Sequence, residues 1–251
     1  MPRYLIHLAY DGTNYSGWQK QPDAETVQGV LERVLQTLTQ EEIRLYGSGR
    51  TDTGVHAEDQ YAHFDTHIPV DEPTLVDRLR RMLPEDMYIR GLRVVSEHFH
   101  ARFDAAWREY RYQLLLHPDP FQRMYAWYPG EGLDREVMRS CLSLIEGEHD
   151  FSGFSKKNGD LPHSCCTVLQ ACLEIHGNNM AFVHIRANRF LRSMIRAIVS
   201  GVVSVGSGKK NIKWFQQQLH EGTEIDQIAL APARGLFLAK VFYPKPVLDL
   251  T

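Results

Sequence analysis

With 251 residues, 43% of them hydrophobic and 24% charged, the chain has an ordinary globular makeup, long enough for one large domain or two modest ones. Its net charge of −3 argues against indiscriminate nucleic-acid binding but allows a local basic site: residues 1–125 hold 14 basic against 19 acidic side chains, residues 126–251 14 against 12. No apolar run approaches the roughly 20 residues a membrane span needs. Met1-Pro2-Arg3-Tyr4 leads straight into a strand pattern, so no signal peptide is expected and the cytoplasm is the expected compartment.

Arg3 to Tyr10 alternates as a half-buried strand, and Asp11-Gly12-Thr13-Asn14 is turn chemistry. From Thr26 the period turns helical, with Val27, Val30, Leu31, Val34, Leu35 and Leu38 on one stripe and Gly29 on the other side. A short strand is expected over Ile43 to Tyr46 and another over Gln60 to Phe64. Pro73 opens a second helix with Leu75, Val76, Leu79, Met82 and Leu83 as its stripe, Pro84 stops it, and Tyr88 to Val95 reads as strand. This order, strand, helix, strand, strand, helix, strand, predicts an α+β unit of the ferredoxin-like kind.

In the second half, alternation sets Tyr110, Tyr112 and Leu114 on one face of a strand and Glu109, Arg111 and Gln113 on the other. Prolines and glycine discourage regular structure up to about residue 132, and Leu133 to Ile145 is helical with Asp134 as cap. His149 to His163 reads as loop. Val168 to Ile175 and Met180 to Ala187 form a hairpin across Gly177-Asn178-Asn179. Asn188 is expected to cap a long helix from Phe190 to Val203, with Arg189, Arg192 and Arg196 on its polar stripe. Asn211 to His220 is a shorter helix and Leu236 to Tyr243 the closing strand. Tyr15-Ser16-Gly17-Trp18 is echoed by Phe151-Ser152-Gly153-Phe154, which suggests two like halves.

Chemistry is concentrated in Tyr46-Gly47-Ser48-Gly49-Arg50-Thr51-Asp52-Thr53-Gly54-Val55-His56-Ala57. Gly47, Gly49 and Gly54 permit positive φ or close backbone approach. An arginine two residues from an aspartate can pair with it and aim the carboxylate. His56 beside Asp52 invites an acid–base role, but its glycine-rich flank suggests a turn. His56, His63 and His67 have no established metal-ligand spacing. Cys141, Cys165, Cys166 and Cys172 are too few for a disulfide scaffold, and His163 beside Cys165-Cys166 is no standard zinc pattern. No Rossmann fingerprint or Walker loop is present, so neither metal nor cofactor is expected.

Gly49-Arg50-Thr51-Asp52-x-Gly54-Val55-His56-Ala57 resembles the signature of the TruA-type family of tRNA pseudouridine synthases. Four further blocks are similar in order and spacing: Tyr10-Asp11-Gly12-Thr13-x-Tyr15-x-Gly17-Trp18-Gln19-x-Gln21; His100-Ala101-Arg102-Phe103 with Tyr110-Arg111-Tyr112; Ala187-Asn188-x-Phe190-Leu191-x-x-Met194-Ile195-Arg196; and Pro232-Ala233-Arg234-Gly235-Leu236. The expected fold is then two ferredoxin-like (RNP-like) halves, residues 1–105 with the aspartate loop and 106–251. They form a shared antiparallel sheet with helices on one face and a central basic cleft.

The resemblance implies isomerisation of uridine to pseudouridine in the anticodon stem-loop of tRNA, at positions 38, 39 and 40, by a homodimer in which the RNA touches both subunits. It makes Asp52 the essential carboxylate, paired with Arg50 and Arg196, and Tyr110 the ring that stacks on the target base and helps remove its C5 proton. Whether the carboxylate attacks ribose or base, or removes a ribose proton, is left open by the sequence. Lys20, Arg102, Arg111, Lys156, Lys157, Arg189 and Arg192 are the expected RNA contacts. One departure is Cys166, where the family usually has arginine. The rival readings are an RNA-binding protein of the same fold without turnover, and a metal-dependent hydrolase using the Asp/His-rich first half.

Overall fold

A computed structural model describes residues 1–156, 164–221 and 229–244. Its contacts divide the chain into two compact units, Met1–Trp107 with Leu238–Thr251, and Arg108–Phe237. The C-terminal strand thus belongs mostly with the first unit, not with the stretch that precedes it.

The first unit runs β1 (Arg3–Tyr10), α1 (Val27–Thr39), β2 (Tyr46–Gly47), β3 (His56–Asp65), α2 (Glu72–Met82) and β4 (Met87–Val95). This is the α+β order expected. β1 is flanked by β3 and β4, antiparallel to both, and β2 pairs with β3 through Tyr46–His63 and Gly47–Ala62. The last strand, β9 (Leu236–Phe242), follows β3 in the order β4-β1-β3-β9. Tyr4, Ile6 and Leu8 on β1 oppose Phe64, Ala62 and Gln60 on β3, and all six are buried. Thr26 Oγ1 accepts from Gly29 N (3.2 Å) to start α1, and Asp71 Oδ2 accepts from Thr74 N (3.1 Å) to start α2.

Three expectations for this unit are corrected. Ile43 to Leu45 is not strand: Leu45 N donates to Glu32 Oε1 (2.9 Å) and Leu45 O accepts from Gln28 Nε2 (3.1 Å), so side chains of α1 satisfy the backbone that a neighbouring strand would have paired. Gly29 is buried, and a Cβ there would lie 2.9 Å from Thr26 Oγ1. Met82 is exposed at the end of α2, where Leu83 is buried instead.

The second unit runs β5 (Trp107–Leu115), α3 (Arg135–Leu144), β6 (Gly147–Asp150), β7 (Cys165–His176), β8 (Met180–Ala187), α4 (Met194–Gly206) and α5 (Ile212–Glu221). Its antiparallel strand order is β5-β8-β7-β6. Asp134 Oδ1 caps α3 by accepting from Glu136 N and Val137 N, and Asn211 Oδ1 accepts from Trp214 N at the start of α5. α3, α4 and α5 pack on one another, and α3 also packs on β7. Nearly all of α4 is buried.

Two corrections matter for function. Asn188 does not cap a helix; its side chain accepts from Thr167 N (3.0 Å), and the chain stays irregular through Ser193, which enters α4 with φ +61°. Arg189 and Arg192 therefore lie ahead of the helix, and only Arg196 of the three is on it. The end of β6, His149 and Asp150, falls in the stretch expected to be loop, because Gly-Glu-His-Asp carries no apolar alternation to signal an edge strand. The echoed tetrapeptides also differ: Gly17 has φ +89° beside α1, whereas Ser152–Phe154 is a 3₁₀ turn packed by α4 and α5.

Candidate active site

Asp52 stands half-buried in the loop between β2 and β3. Three sets of contacts hold the loop, through its backbone and through the Ser48 and Thr51 hydroxyls. In the first, Thr51 O accepts from Trp18 N (3.1 Å), while Gly54 N donates to Tyr15 O (3.3 Å). In the second, Gln60 Nε2 on β3 donates to Gly49 O (3.1 Å), and Gln60 Oε1 accepts from Ser48 Oγ (2.6 Å). In the third, Tyr10 Oη lies 2.8 Å from Thr51 Oγ1. Val55 N then donates to Asp52 O (3.1 Å), closing a turn in which Gly54 has φ +73°. Burial pushes the Tyr10 hydroxyl up to about 12, against its bonds to Thr51 and Gln60. It stays a neutral phenol at neutral pH and holds the loop through Thr51.

The glycine expectation holds in two of three places. Gly54 has positive φ, and a Cβ on Gly47 would lie 2.7 Å from the Trp18 ring. Gly49 has neither constraint. The tightest approach is instead at Gly12, where a Cβ would sit 2.0 Å from Val55 O. Gly12 N also donates to His56 Nδ1 (3.1 Å), and Asp11 Oδ1 lies 2.9 Å from the same nitrogen. His56 is buried and opens β3 instead of lying in a turn. It buttresses the Asp11-Gly12 loop. His56 and His63 are seven residues apart on one strand, about 23 Å at the usual rise, too far to share a metal ion. Among the described residues no cluster of three or more His, Cys, Asp or Glu is arranged to hold one; His163 lies outside those residues.

Arg50 is exposed, and no ion pair among the described residues joins it to Asp52. Lys20 is engaged within the protein by Glu32 (3.2 Å). In the second unit Tyr110 is buried on β5 with its ring edge-on to Phe190, centroids 5.0 Å apart. Arg196 Nε donates to Ala231 O (2.7 Å). Arg111 lies between the rings of Phe182 and Phe237, 5.4 Å from each centroid, a packing role that sequence alternation does not show. Lys156 N donates to Arg192 O (3.2 Å), which brings these two residues together, with both side chains exposed. Lys157 lies outside the described residues. Arg102 is exposed beside Phe103.

Cys166 is buried on β7, and burial pushes its thiol up to about 11, so this position carries no charge at neutral pH. A polar cluster on the same sheet is not explained by the motifs: Glu109 takes two bonds from Arg186 (3.0 and 2.6 Å) and one contact from His184 (3.2 Å). Burial alone would raise the Glu109 carboxyl, but Arg186 and His184 outweigh it and hold it low. Sequence reasoning also missed the part that Gln60, Tyr10 and Ser48 play in holding the loop. The signal for Gln60 is an amide on the buried face of an alternating strand, which must find partners inside.

A family model described as tRNA pseudouridine synthase matches residues 6–104 and 142–244. The chain belongs to the tRNA pseudouridine synthase family. The family is one of isomerases, and the similarity extends along nearly the whole chain. It is 39% identical to a tRNA pseudouridine synthase A of Bacteroides thetaiotaomicron over 98% of this chain and 93% of that protein. It is 42% identical to one of Chlorobaculum tepidum over 95% and 96%, and 40% identical to tRNA pseudouridine synthase A 1 of Desulfotalea psychrophila over 97% and 100%. Among solved structures a Cbf5-Nop10-Gar1 complex is matched with a TM-score of 0.30 at 14% identity, over 79% of this chain and 54% of that chain, too slight a likeness to bear on the fold. No described helix is long and apolar enough to cross a membrane.

Proposed function

We propose that this synthase converts uridine to pseudouridine at positions 38, 39 and 40 of the tRNA anticodon stem-loop, with Asp52 as the catalytic carboxylate. The observation that carries the reading is a half-buried aspartate on a loop whose backbone is held at Ser48, Gly49, Thr51 and Gly54 by buried or part-buried partners. A carboxylate that acts as nucleophile or base needs aim above all. A fixed loop supplies aim before the substrate arrives.

The reaction breaks the bond from ribose C1′ to N1 of uracil, turns the base and joins C1′ to C5, and the proton on C5 is lost while N1 gains one. Atoms balance within the substrate, so no oxidant, reductant or leaving group is consumed. The family resemblance assigns Arg50 and Arg196 to orienting Asp52, and Tyr110 to stacking on the extruded base and assisting loss of the C5 proton. A base taken from a stem loses its stacking, and an aromatic ring recovers part of it. Arg189, Arg192 and Lys156 are proposed phosphate contacts, with Lys157, Lys20 and Arg102 beside them. Arg111, held between two rings, is the weakest of the nominated contacts. A homodimer in which tRNA touches both subunits, and a cytoplasmic location, complete the reading.

The test is incubation with an unmodified tRNA transcript and mapping of pseudouridine base by base, with and without chelator. Product confined to positions 38–40 and insensitive to chelator supports the proposal. Product elsewhere overturns the site assignment, and tight binding without product would leave an RNA-binding protein instead of an enzyme.

A further inference from the structure

Directly before the aspartate loop, and next to it on β3, the first unit presents a group of aromatic rings that the reaction as described does not use. Tyr46 on β2 is stacked on His63, centroids 5.0 Å apart and planes 14° from parallel. His63 meets His100 edge-on at 4.7 Å, and His100 lies 4.3 Å from Phe103. The outer rings reach solvent: Tyr46 is 39% exposed and Phe103 is 74% exposed. Guanidinium groups accompany both, Arg44 at 5.2 Å from the Tyr46 centroid and Arg102 at 5.8 Å from that of Phe103.

The exposure of Phe103 is not that of a loose loop. Its turn is pinned on both sides of the ring. Phe99 and Ala101 are buried, Tyr243 Oη donates to Ala101 O (2.5 Å), and Ala101 N donates to His63 Nδ1 (3.1 Å). His100 N donates to Asp104 Oδ2 (2.7 Å), while His100 O accepts from Phe103 N and Asp104 N. These bonds hold the turn while the phenyl ring stays exposed. The imidazoles stay neutral: burial brings His63 down to about 4, and burial lowers His100 against the pull of Asp104. The rings themselves are neutral, with Arg44 and Arg102 beside them and the Asp104 carboxylate in the same turn.

We propose that Phe103, supported by His100, forms a stacking platform for an unpaired nucleobase of the RNA substrate, separate from the base that reacts at Asp52. This rests on the tRNA reading above. An exposed, preorganised ring suits the π-face of any base, and adjacent guanidiniums suit the phosphates on either side of it. A protein partner would call for a larger unbroken apolar area than these rings give.

The experiment measures binding of an unmodified tRNA transcript to the full-length protein and to Phe103→Ala, Phe103→Leu and Phe103→Trp, each across a salt series. Single-turnover pseudouridine formation at saturating tRNA is followed in parallel. The platform predicts that Ala and Leu weaken binding by about 5- to 150-fold, that Trp restores it, and that the salt slope and the saturated rate keep their wild-type values. Ala and Leu variants that bind within twofold of a wild type that turns over would overturn the platform and leave the activity intact. A wild type that neither binds tRNA nor turns it over would overturn both. If Phe103→Ala instead abolishes a self-association that the wild type shows in sedimentation, the patch is a contact between copies and the proposal is wrong.

Discussion

The loop from Gly47 to Val55 and the segment from Asn188 to Ser193 both carry arginine and both lead into a regular element, yet they are secured differently. The first is held through its own backbone by Trp18, Tyr15 and Gln60, with Tyr10 on the Thr51 hydroxyl, and it is pressed so closely against Gly12 that no side chain fits between. The second is held by the Asn188 backbone and side chain on Thr167, by Lys156 N on Arg192 O and by buried Leu191, yet its Arg192 side chain faces solvent. The contrast teaches where precision is needed. A carboxylate that acts on a ribose or a base must be placed beforehand; a guanidinium that meets a phosphate can find it on arrival.

Substitutions that release the loop should therefore cost the most. Gly12→Ala forces a methyl group toward Val55 O and should destabilise the protein by about 3 kcal/mol, read as a lowered urea midpoint, with activity falling alongside; an unchanged midpoint would mean the contact is not tight in solution. Gln60→Leu keeps the volume but leaves Ser48 and Gly49 without their buried partner. It should cost about 1–3 kcal/mol and lower kcat more than it raises KM. A purely structural glutamine would leave kcat of the folded fraction untouched.

Acid should act next on the strand behind the loop. His63, held down to about 4 by burial and by Arg3 and His100, against Asp65 and Asp104, resists protonation when folded, whereas the unfolded chain takes up a proton near 6.5. The contribution is present above 6.5 and is lost as pH falls toward 4. Denaturation midpoints should thus drop over that window and drop less in His63→Asn; parallel curves would exclude His63 as the source. The smallest effect on stability is expected at Arg192→Ala, within about 0.5 kcal/mol, accompanied by a shallower salt dependence of tRNA binding, by roughly one phosphate contact.

Much of this architecture is legible in the chain. The first unit's strand and helix order follows from periods of two and 3.6, and Asp134 caps α3 as its chemistry says it should. The failures have physical causes. Ile43 to Leu45 has strand-like residues, but Glu32 and Gln28 of α1 capture its backbone. Asn188 has the chemistry of a cap, but its side chain is taken by Thr167, so the apolar period of Phe190 and Leu191 runs ahead of the helix. At the candidate site the motif locates the loop but not what fixes it, since Gln60, Tyr10 and Gly12 act through space over intervals no local pattern encodes.

The most direct test follows product and binding together in Asp52→Asn, a change that keeps shape and removes only the charge. With a saturating unmodified tRNA transcript, the account predicts pseudouridine below detection in a single turnover, with tRNA affinity within a few-fold of the unaltered enzyme and an unchanged melting transition. Product formed at a rate near that of the unaltered enzyme would contradict it.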